Sequence, residues 1–218
     1  MNQPNQPQPE RRSLVPEPSI REQSSEQRTE SATELDRDGE QASQLRPMIY
    51  VASLSDYNAG RLHGQWIDAT QSPDELLKEI GSMLKTSPIR GAEEWAIHDY
   101  QDFPGLRLSE YESIETISRI ALGIAEHGTA YALWTSQIGT DDLEFAGQFE
   151  DHYVGSWERP EDFANHILDQ HGYWAAIDQI PEPTRHYLML DKARFLRDLK
   201  AQYLIIENQG KTYAFEQP

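Results

Sequence analysis

The sequence predicts an α+β protein, an elongated chain of small domains that follows a disordered N-terminal tail. Two observations lead to this fold class. Runs rich in β-branched and aromatic residues lie at both ends of the region after residue 47. Apolar residues at helical spacing fill the middle. The predicted parts are a tail (1–47), a small antiparallel sheet with a helix (48–106), a helical middle (107–148) and a mixed α/β part (149–218).

The tail differs from the rest of the chain in composition. Residues 1–47 hold six of the 13 prolines and seven glutamines but none of the 21 aromatic residues. Such a stretch buries too little apolar surface to offset the conformational entropy that ordering it would cost. We therefore expect it to be disordered.

The first folded part begins at residue 48. Ser72, Pro73 and the acids that follow predict the start of a helix, which runs with apolar residues at helical spacing to Lys85. Residues 55–64 are predicted to form a loop, because they include Asn and Gly. The predicted strands are 48–54, 65–69 and 93–100. Within them we expect Trp66, Trp95 and Tyr100, together with Phe103, to belong to the core.

The middle part is predicted to be helical. Ser109 and Glu112 have the spacing of a capping box, and Tyr111 is the first residue of the apolar face that follows. Gly128 is the expected stop of this helix. Two short helices are predicted over 129–138 and 141–148.

The C-terminal part alternates helix and strand. Pro160 is expected to open a helix that ends before Gly172, and Asp191 to cap another over 191–202. Residues 203–215 are predicted to form a hairpin that turns at 208–210, where Asn and Gly favour a tight turn.

Charge is the most informative property of the sequence. The chain carries 19 basic and 37 acidic residues, a net charge of −18. Residues 91–184 alone carry 19 acids and three bases, and the same stretch contains 13 of the 21 aromatic residues. The acids therefore belong to a folded segment rather than to an acidic tail. The densest run, 140–162, has eight acids and one base, Arg159.

Several functions are disfavoured by the same composition. Direct binding to nucleic acid or an anionic membrane would be opposed by this charge. The absence of cysteine excludes disulfides and thiolate metal sites. No apolar run of membrane-spanning length occurs, and the N-terminal sequence lacks the apolar core of a signal peptide, so a cytoplasmic location is expected.

No catalytic, metal or cofactor site is predicted. His98 and Asp99 are adjacent on a predicted strand and so point to opposite faces. His166 and His171 are spaced wrongly on a helix to share a metal ion. Nucleotide-binding, zinc-protease, hydrolase and EF-hand motifs are lacking.

Five blocks of sequence closely resemble the ArdA family of antirestriction proteins. They are YVASLSDYNAGRLHGQWID (50–68), EEWAIHDY (93–100), LSEYESIETISRI (108–120), FEDHYVGSWERPEDFANHILDQHG (149–172) and LRDLKAQYLIIENQGKTYAFE (196–216). The resemblance covers about 48–216. The tail is a departure, because members of the family usually begin near the first strand.

The resemblance implies a protein without enzymatic activity. Members of this family are acidic mimics of duplex DNA that act as elongated homodimers. They occupy the DNA-binding groove of type I restriction-modification enzymes and protect incoming DNA of mobile genetic elements. The expected phosphate mimics in this chain are Asp141, Asp142, Glu144, Glu150, Asp151, Glu158, Glu161 and Asp162.

Two other classes of function stay open from the residues alone. An acidic adaptor or regulator would bind some other basic DNA-binding protein, and a hydrolase would use a pair of carboxylates. Displacement of DNA from a type I methyltransferase separates a mimic from an adaptor, whereas turnover of a substrate would favour the hydrolase.

The composition of the tail predicts that it is dispensable. Deleting residues 1–46 is expected to leave antirestriction activity nearly intact, because a stretch without aromatic residues makes few fixed contacts. Protection of incoming DNA at matched expression measures this. A loss of more than about tenfold would show that the tail takes part.

Overall fold

The computed structural model describes residues 45–140 and 143–217. The predicted disorder of the tail therefore concerns residues that lie outside this part, apart from 45–47. Leu45 packs against the core, and the Arg46 N–H donates to Asp102 Oδ2 at 3.1 Å. The Pro47 carbonyl accepts from the Ala69 N–H at 2.9 Å. Since these three residues contact the fold, a deletion that tests the tail is best ended at residue 44.

The first sheet contains three antiparallel strands in the order β2-β1-β3. They are β1 (Met48–Ser53), β2 (Gly64–Asp68) and β3 (Trp95–Gln101). All three predicted strands are confirmed to within two residues. Ile49, Val51 and Ile67 point inward and are buried, as the alternation of side chains along a strand requires.

The segment after β1 corrects the predicted loop. Leu54–Asn58 forms a short helix, α1, whose cap is Ser53: its Oγ accepts from the Asp56 N–H at 3.3 Å. Asp56 is fully buried, and its Oδ2 accepts from Ser87 Oγ at 2.6 Å, which lowers the pKa of this carboxyl. The helix was missed because one of its main partners, Ser87, lies 31 residues further along the chain.

The predicted helix that covers this sheet is confirmed. Helix α2 (Pro73–Lys85) opens with a capping box between Ser72 and Glu75. The Glu75 N–H donates to Ser72 Oγ at 3.4 Å, and the Ser72 N–H donates to Glu75 Oε2 at 3.2 Å. These bonds satisfy two backbone donors that the first turn would otherwise leave free.

The predicted start of the middle helix is wrong. Helix α3 (Ile114–Ile138) is capped by Ser113 rather than Ser109. The Glu110 carbonyl accepts from the Ile97 N–H of β3 at 3.0 Å, so this stretch is held along the sheet and is not free to coil. Tyr111, expected on the apolar face, is 71% exposed.

Gly128 interrupts α3, as the sequence predicted. Its φ of 66° and ψ of −148° are not helical, and the helical residues before and after it form two segments. A Cβ atom on Gly123 would lie 2.3 Å from the ring of Tyr131, so the two segments are in close contact. The predicted short helix over 129–138 is confirmed.

The C-terminal part contains a second antiparallel sheet, in which β6 (Lys211–Glu216) lies between β4 (Tyr153–Trp157) and β5 (Tyr203–Asn208). Gln209 and Gly210 both have positive φ and form the predicted tight turn of its hairpin. The helices expected from Pro160 and after Asp191 are confirmed. The elements are α4 (Leu143–Ala146), α5 (Phe149–His152), β4 (Tyr153–Trp157), α6 (Pro160–Gln170), α7 (Tyr173–Asp178), α8 (Glu182–Arg185), α9 (Lys192–Leu199), β5 (Tyr203–Asn208) and β6 (Lys211–Glu216).

One large core connects the two sheets. It runs from Ile49 through the buried face of α3 to Phe149 and Phe215. A smaller cluster around Phe163 packs α6 on the second sheet. The α+β class is confirmed. The boundaries predicted at residues 106 and 148 both lie within the span of the large core, and the division into small domains and the elongated shape stay predictions.

The expected core aromatics divide into three cases. Phe103 is buried, as predicted, and Trp95 and Tyr100 are half-buried against the core. Trp66 is 42% exposed, which corrects its assignment to the core. Because Ile67 points inward, the alternation of side chains in β2 places Trp66 on the outer face.

The contact between Gly123 and Tyr131 predicts the effect of a methyl group there. Gly123→Ala is expected to lower the free energy of unfolding by about 1–3 kcal/mol, because the added atom overpacks the junction. Gly81→Ala is the matched control, since it adds a methyl group to α2 in open space. It is expected to stabilise by about 0.5–1 kcal/mol. Urea unfolding measures both, and equal effects would contradict the close packing.

Candidate acidic interaction surface

Nearly all the described acids of residues 91–184 face solvent. Of the 19 acids in this stretch, 17 lie in the described residues; 15 of these are exposed, and Glu112 and Asp162 are half-buried. Exposed carboxylates on a folded support interact with solvent, salt and partners at little desolvation cost. The stretch therefore presents negative charge outward rather than burying it in an internal network.

A cluster of aromatic rings supports the part of this surface around α5 (Phe149–His152). Phe149 of α5 is buried, and its ring centre lies 4.9 Å from His127, 5.5 Å from Tyr131 and 5.0 Å from Tyr153. The next two residues, Glu150 and Asp151, are exposed. Because the ring is fixed by the α3 segments and by β4, the two carboxylates stand on a rigid base.

His127 lies beside the carboxylates of this cluster. Its Nε2 is 3.8 Å from Glu126 Oε2 and 3.9 Å from Glu150 Oε1. Both glutamate side chains are more than 70% exposed, so these contacts are weak and screened by solvent. Glu126 and Glu150 therefore stay available to an external cation.

The strand β4 positions the next acid, Glu158. The ring of Trp157 packs 4.9 Å from Phe163 and 5.2 Å from His166, which fixes the end of the strand on α6. A Cβ atom on Gly155, at φ 152°, would lie 2.9 Å from the Trp157 ring, so this position requires glycine. Glu158 follows directly and is exposed.

Asp162 differs from the other predicted mimics. Arg159 donates from Nε and Nη2 to its two carboxylate oxygens at 3.1 and 3.0 Å. The hydrogen bonds from Arg159 hold the pKa of Asp162 below its ordinary value. Its side chain is 30% exposed. The one base in residues 140–162 thus neutralises one of the eight acids and ties the cap of α6 to its first turn.

The structure places six of the eight predicted residues. Glu144 lies on α4, Glu150 and Asp151 on α5, and Glu161 beside Asp162 in the first turn of α6. Asp141 and Asp142 lie outside the described residues. Of the six, all except Asp162 are exposed. Their roles as phosphate mimics stay predictions.

Further exposed acids lie before the predicted run. They are spread along 93–126 and belong to β3, the loops around it and α3. These acids are among the 19 acids of residues 91–184. They are not among the eight predicted phosphate mimics, because those were chosen from the densest run of acids, 140–162. They are Glu93, Glu94, Asp99, Asp102, Glu110, Glu115 and Glu126.

The described residues contain no cluster of three or more His, Asp or Glu side chains arranged to hold a metal ion. The pairing of β1 with β3 skips His98, whose ring lies 4.8 Å from Tyr57. Asp99 accepts from the Tyr100 N–H at 2.8 Å. No helix in the described part of the chain is long and apolar enough to cross a membrane.

Fold and surface together define an acidic α+β protein in which most of the described carboxylates of residues 91–184 are exposed. The family model described as antirestriction protein (ArdA) matches residues 49–211, well over half of the 218 residues. The chain therefore belongs to the ArdA family of antirestriction proteins, which confirms the resemblance noted in its sequence. A search of curated proteins gives no match.

Asp162 and Glu161 are neighbours, but only the carboxylate of Asp162 is expected to contribute to the stability of the fold. Asp162→Asn is expected to lower stability at pH 7, because the charged carboxylate is favoured by Arg159. A depressed pKa contributes stability above the unfolded value, near pH 4, and that contribution is lost as pH falls through the folded value. The difference from the parent should therefore shrink below about pH 4.

Glu161→Gln is the matched control, since Glu161 is exposed and makes no such pair. It should leave stability within about 0.5 kcal/mol of the parent at either pH. Urea unfolding at pH 7 and pH 3 compares the variants. A pH-independent loss for Asp162→Asn would show that its charge does not contribute.

Proposed function

We propose that the chain is a mimic of duplex DNA that occupies the DNA-binding groove of a type I restriction-modification enzyme. It blocks restriction by excluding DNA and performs no catalysis. Membership of the antirestriction family supports the general activity. The observation that carries the mimicry is the exposure of 15 of the 17 described acids in residues 91–184.

The amount of charge suits a groove that holds DNA. Duplex DNA carries one negative charge per roughly 1.7 Å of its axis. The excess of 16 acids over bases in residues 91–184 corresponds to about 27 Å of duplex. A homodimer, which we also propose, would present about 54 Å, a length on the scale of a DNA-binding groove. Because the restriction enzyme acts on DNA in the cytoplasm, a protein that binds it would also be cytoplasmic.

The aromatic base under Glu150 and Asp151 favours this function over simple solubility. A mixture of both signs is sufficient for solubility, whereas one sign on a rigid surface repels itself and weakens the fold. Rigid charges lose little entropy when a partner binds them, and they attract a positive groove from a distance. The surface therefore matches a partner whose own charges are arranged for DNA.

Binding through displayed carboxylates is expected to be spread over many contacts. A single change such as Asp151→Asn should weaken inhibition only slightly, since each exposed contact contributes about 0.2–1 kcal/mol. Neutralising all the acids of residues 140–162 except Asp162 should weaken it by several kcal/mol, roughly the sum of seven such contacts. Leaving Asp162 unchanged keeps the pair with Arg159 intact.

Displacement of duplex DNA from a type I methyltransferase measures these effects, at low and at physiological salt. The differences should be smaller at higher salt because exposed charges are screened. Two double variants remove the same amount of charge from exposed positions and serve as test and control. The first combines Glu150→Gln with Asp151→Asn, and the second combines Glu207→Gln with Glu216→Gln. Only the first should weaken inhibition. Sedimentation of each variant gives its oligomeric state.

Two results would reject the proposal. A sevenfold variant that inhibits like the parent would remove these acids from the mechanism. A parent chain that fails to displace DNA, yet binds another basic DNA-binding protein, would favour the acidic adaptor instead.

A further inference from the structure

A small groove lies between α2, β3 and the start of α3. Its volume is about 260 Å³, and its lining includes Leu77, Trp95, Tyr111, Glu112, Ile114 and Glu115. Pockets that hold small-molecule ligands are usually larger, about 300–1,000 Å³. The size of this groove suits a single side chain of a partner protein.

The apolar walls of the groove are open to solvent. Tyr111 is 71% exposed and Leu77 is 45% exposed, although both are large side chains next to the buried Ile114. Trp95 is half-buried against the core. An exposed aromatic ring beside an apolar depression is typical of the places where binding energy is concentrated at protein interfaces.

The rim of the groove is negative. Glu112 and Glu115 line it, and Glu115 Oε2 accepts from Ser113 Oγ at 3.1 Å. Within the described residues no lysine, arginine or histidine lies at ion-pair distance from either carboxylate. The exposed Glu94 and Glu110 are the chain neighbours of Trp95 and Tyr111. The two lining carboxylates oppose the partial positive charge at the start of α3.

We propose that this groove receives one arginine side chain of the restriction enzyme, an inference that rests on the proposed function. The aliphatic stem contacts Leu77, the flat guanidinium stacks on the exposed ring of Tyr111, and Glu112 accepts its hydrogen bonds. Arginine suits such a site better than lysine, because its planar group stacks on aromatic faces, is weakly hydrated and pairs with carboxylates through two parallel bonds.

The groove would add an anchor to an otherwise diffuse surface. Proteins that bind DNA commonly use arginine to contact bases and phosphates, so the positive groove of the enzyme offers such side chains. Exposed carboxylates attract every arginine side chain in that groove and do not select one of them. A groove that accepts one guanidinium fixes the position of the mimic, and its loss should affect dissociation more than the response to salt.

The first test uses the full chain and an isolated probe, Nα-acetyl-L-arginine N-methylamide. A saturable shift of the Trp95 indole proton is expected, with a Kd on the order of 10 mM. The citrulline analogue has the same shape without the charge and should bind at least about fivefold more weakly. Tyr111→Ala and Glu112→Gln should abolish saturation. No saturable shift, or an equal shift with citrulline, would overturn the proposal.

The second test is displacement of DNA from the methyltransferase. Tyr111→Ala should weaken inhibition by about tenfold with an unchanged salt dependence, whereas Tyr111→Phe, which keeps the ring, should inhibit like the parent. Tyr187→Ala is the control, because Tyr187 is also exposed, at 83%, but does not line the groove. Inhibition by Tyr111→Ala equal to the parent's would overturn the proposal. It would also be overturned if Tyr111→Ala converted a dimeric parent into a monomer, because the loss of inhibition would then follow from the loss of the dimer.

The two proposals fail in different ways. If the parent displaces DNA and Tyr111→Ala does so equally well, mimicry stands and the arginine site does not. If the parent displaces no DNA, the mimic is rejected, and with it the identity of the partner. The probe titration then decides separately whether the groove accepts a guanidinium.

Discussion

Repulsion among the acids is the constraint that the rest of the structure must satisfy. Residues 91–184 carry an excess of 16 negative charges, and charges of one sign destabilise a compact state. Attraction that does not depend on charge must offset this cost. The large core supplies it, because it packs the aliphatic side chains of the first sheet and α3 together with Trp134, Phe149 and Phe215. The charged side chains are thus exposed, and the buried apolar side chains stabilise the fold.

Elements with local causes were predicted well from the sequence. The capping box of Ser72 and Glu75, the break at Gly128 and the turn at Gln209 and Gly210 each depend on residues within a few positions of one another. Elements with distant causes were not. Helix α1 depends on Ser87, and the start of α3 is shifted to Ser113 because Glu110 is bonded to Ile97 of β3. A pattern within one segment contains no information about such partners.

The candidate surface was predictable as a region but not residue by residue. The count of charges identified residues 91–184, and exposure in the structure agrees with display of those charges. The count treated Asp162 like its neighbours, although Arg159 neutralises it. The helical pattern placed Tyr111 on the apolar face of the middle helix, whereas the structure leaves its side chain exposed. Pairing and exposure are properties of the assembled chain, and composition does not report them.

The position of Phe215 has a consequence for how the protein is made. Its ring lies 5.4 Å from Trp134 and 6.2 Å from Phe149, so a strand near residue 215 completes a core that begins at Ile49. Chains are synthesised from the N-terminus, and domains fold as units. The acidic stretch therefore leaves the ribosome before the side chain that closes its core exists. During that interval, repulsion among its negative charges opposes association with other unfinished chains.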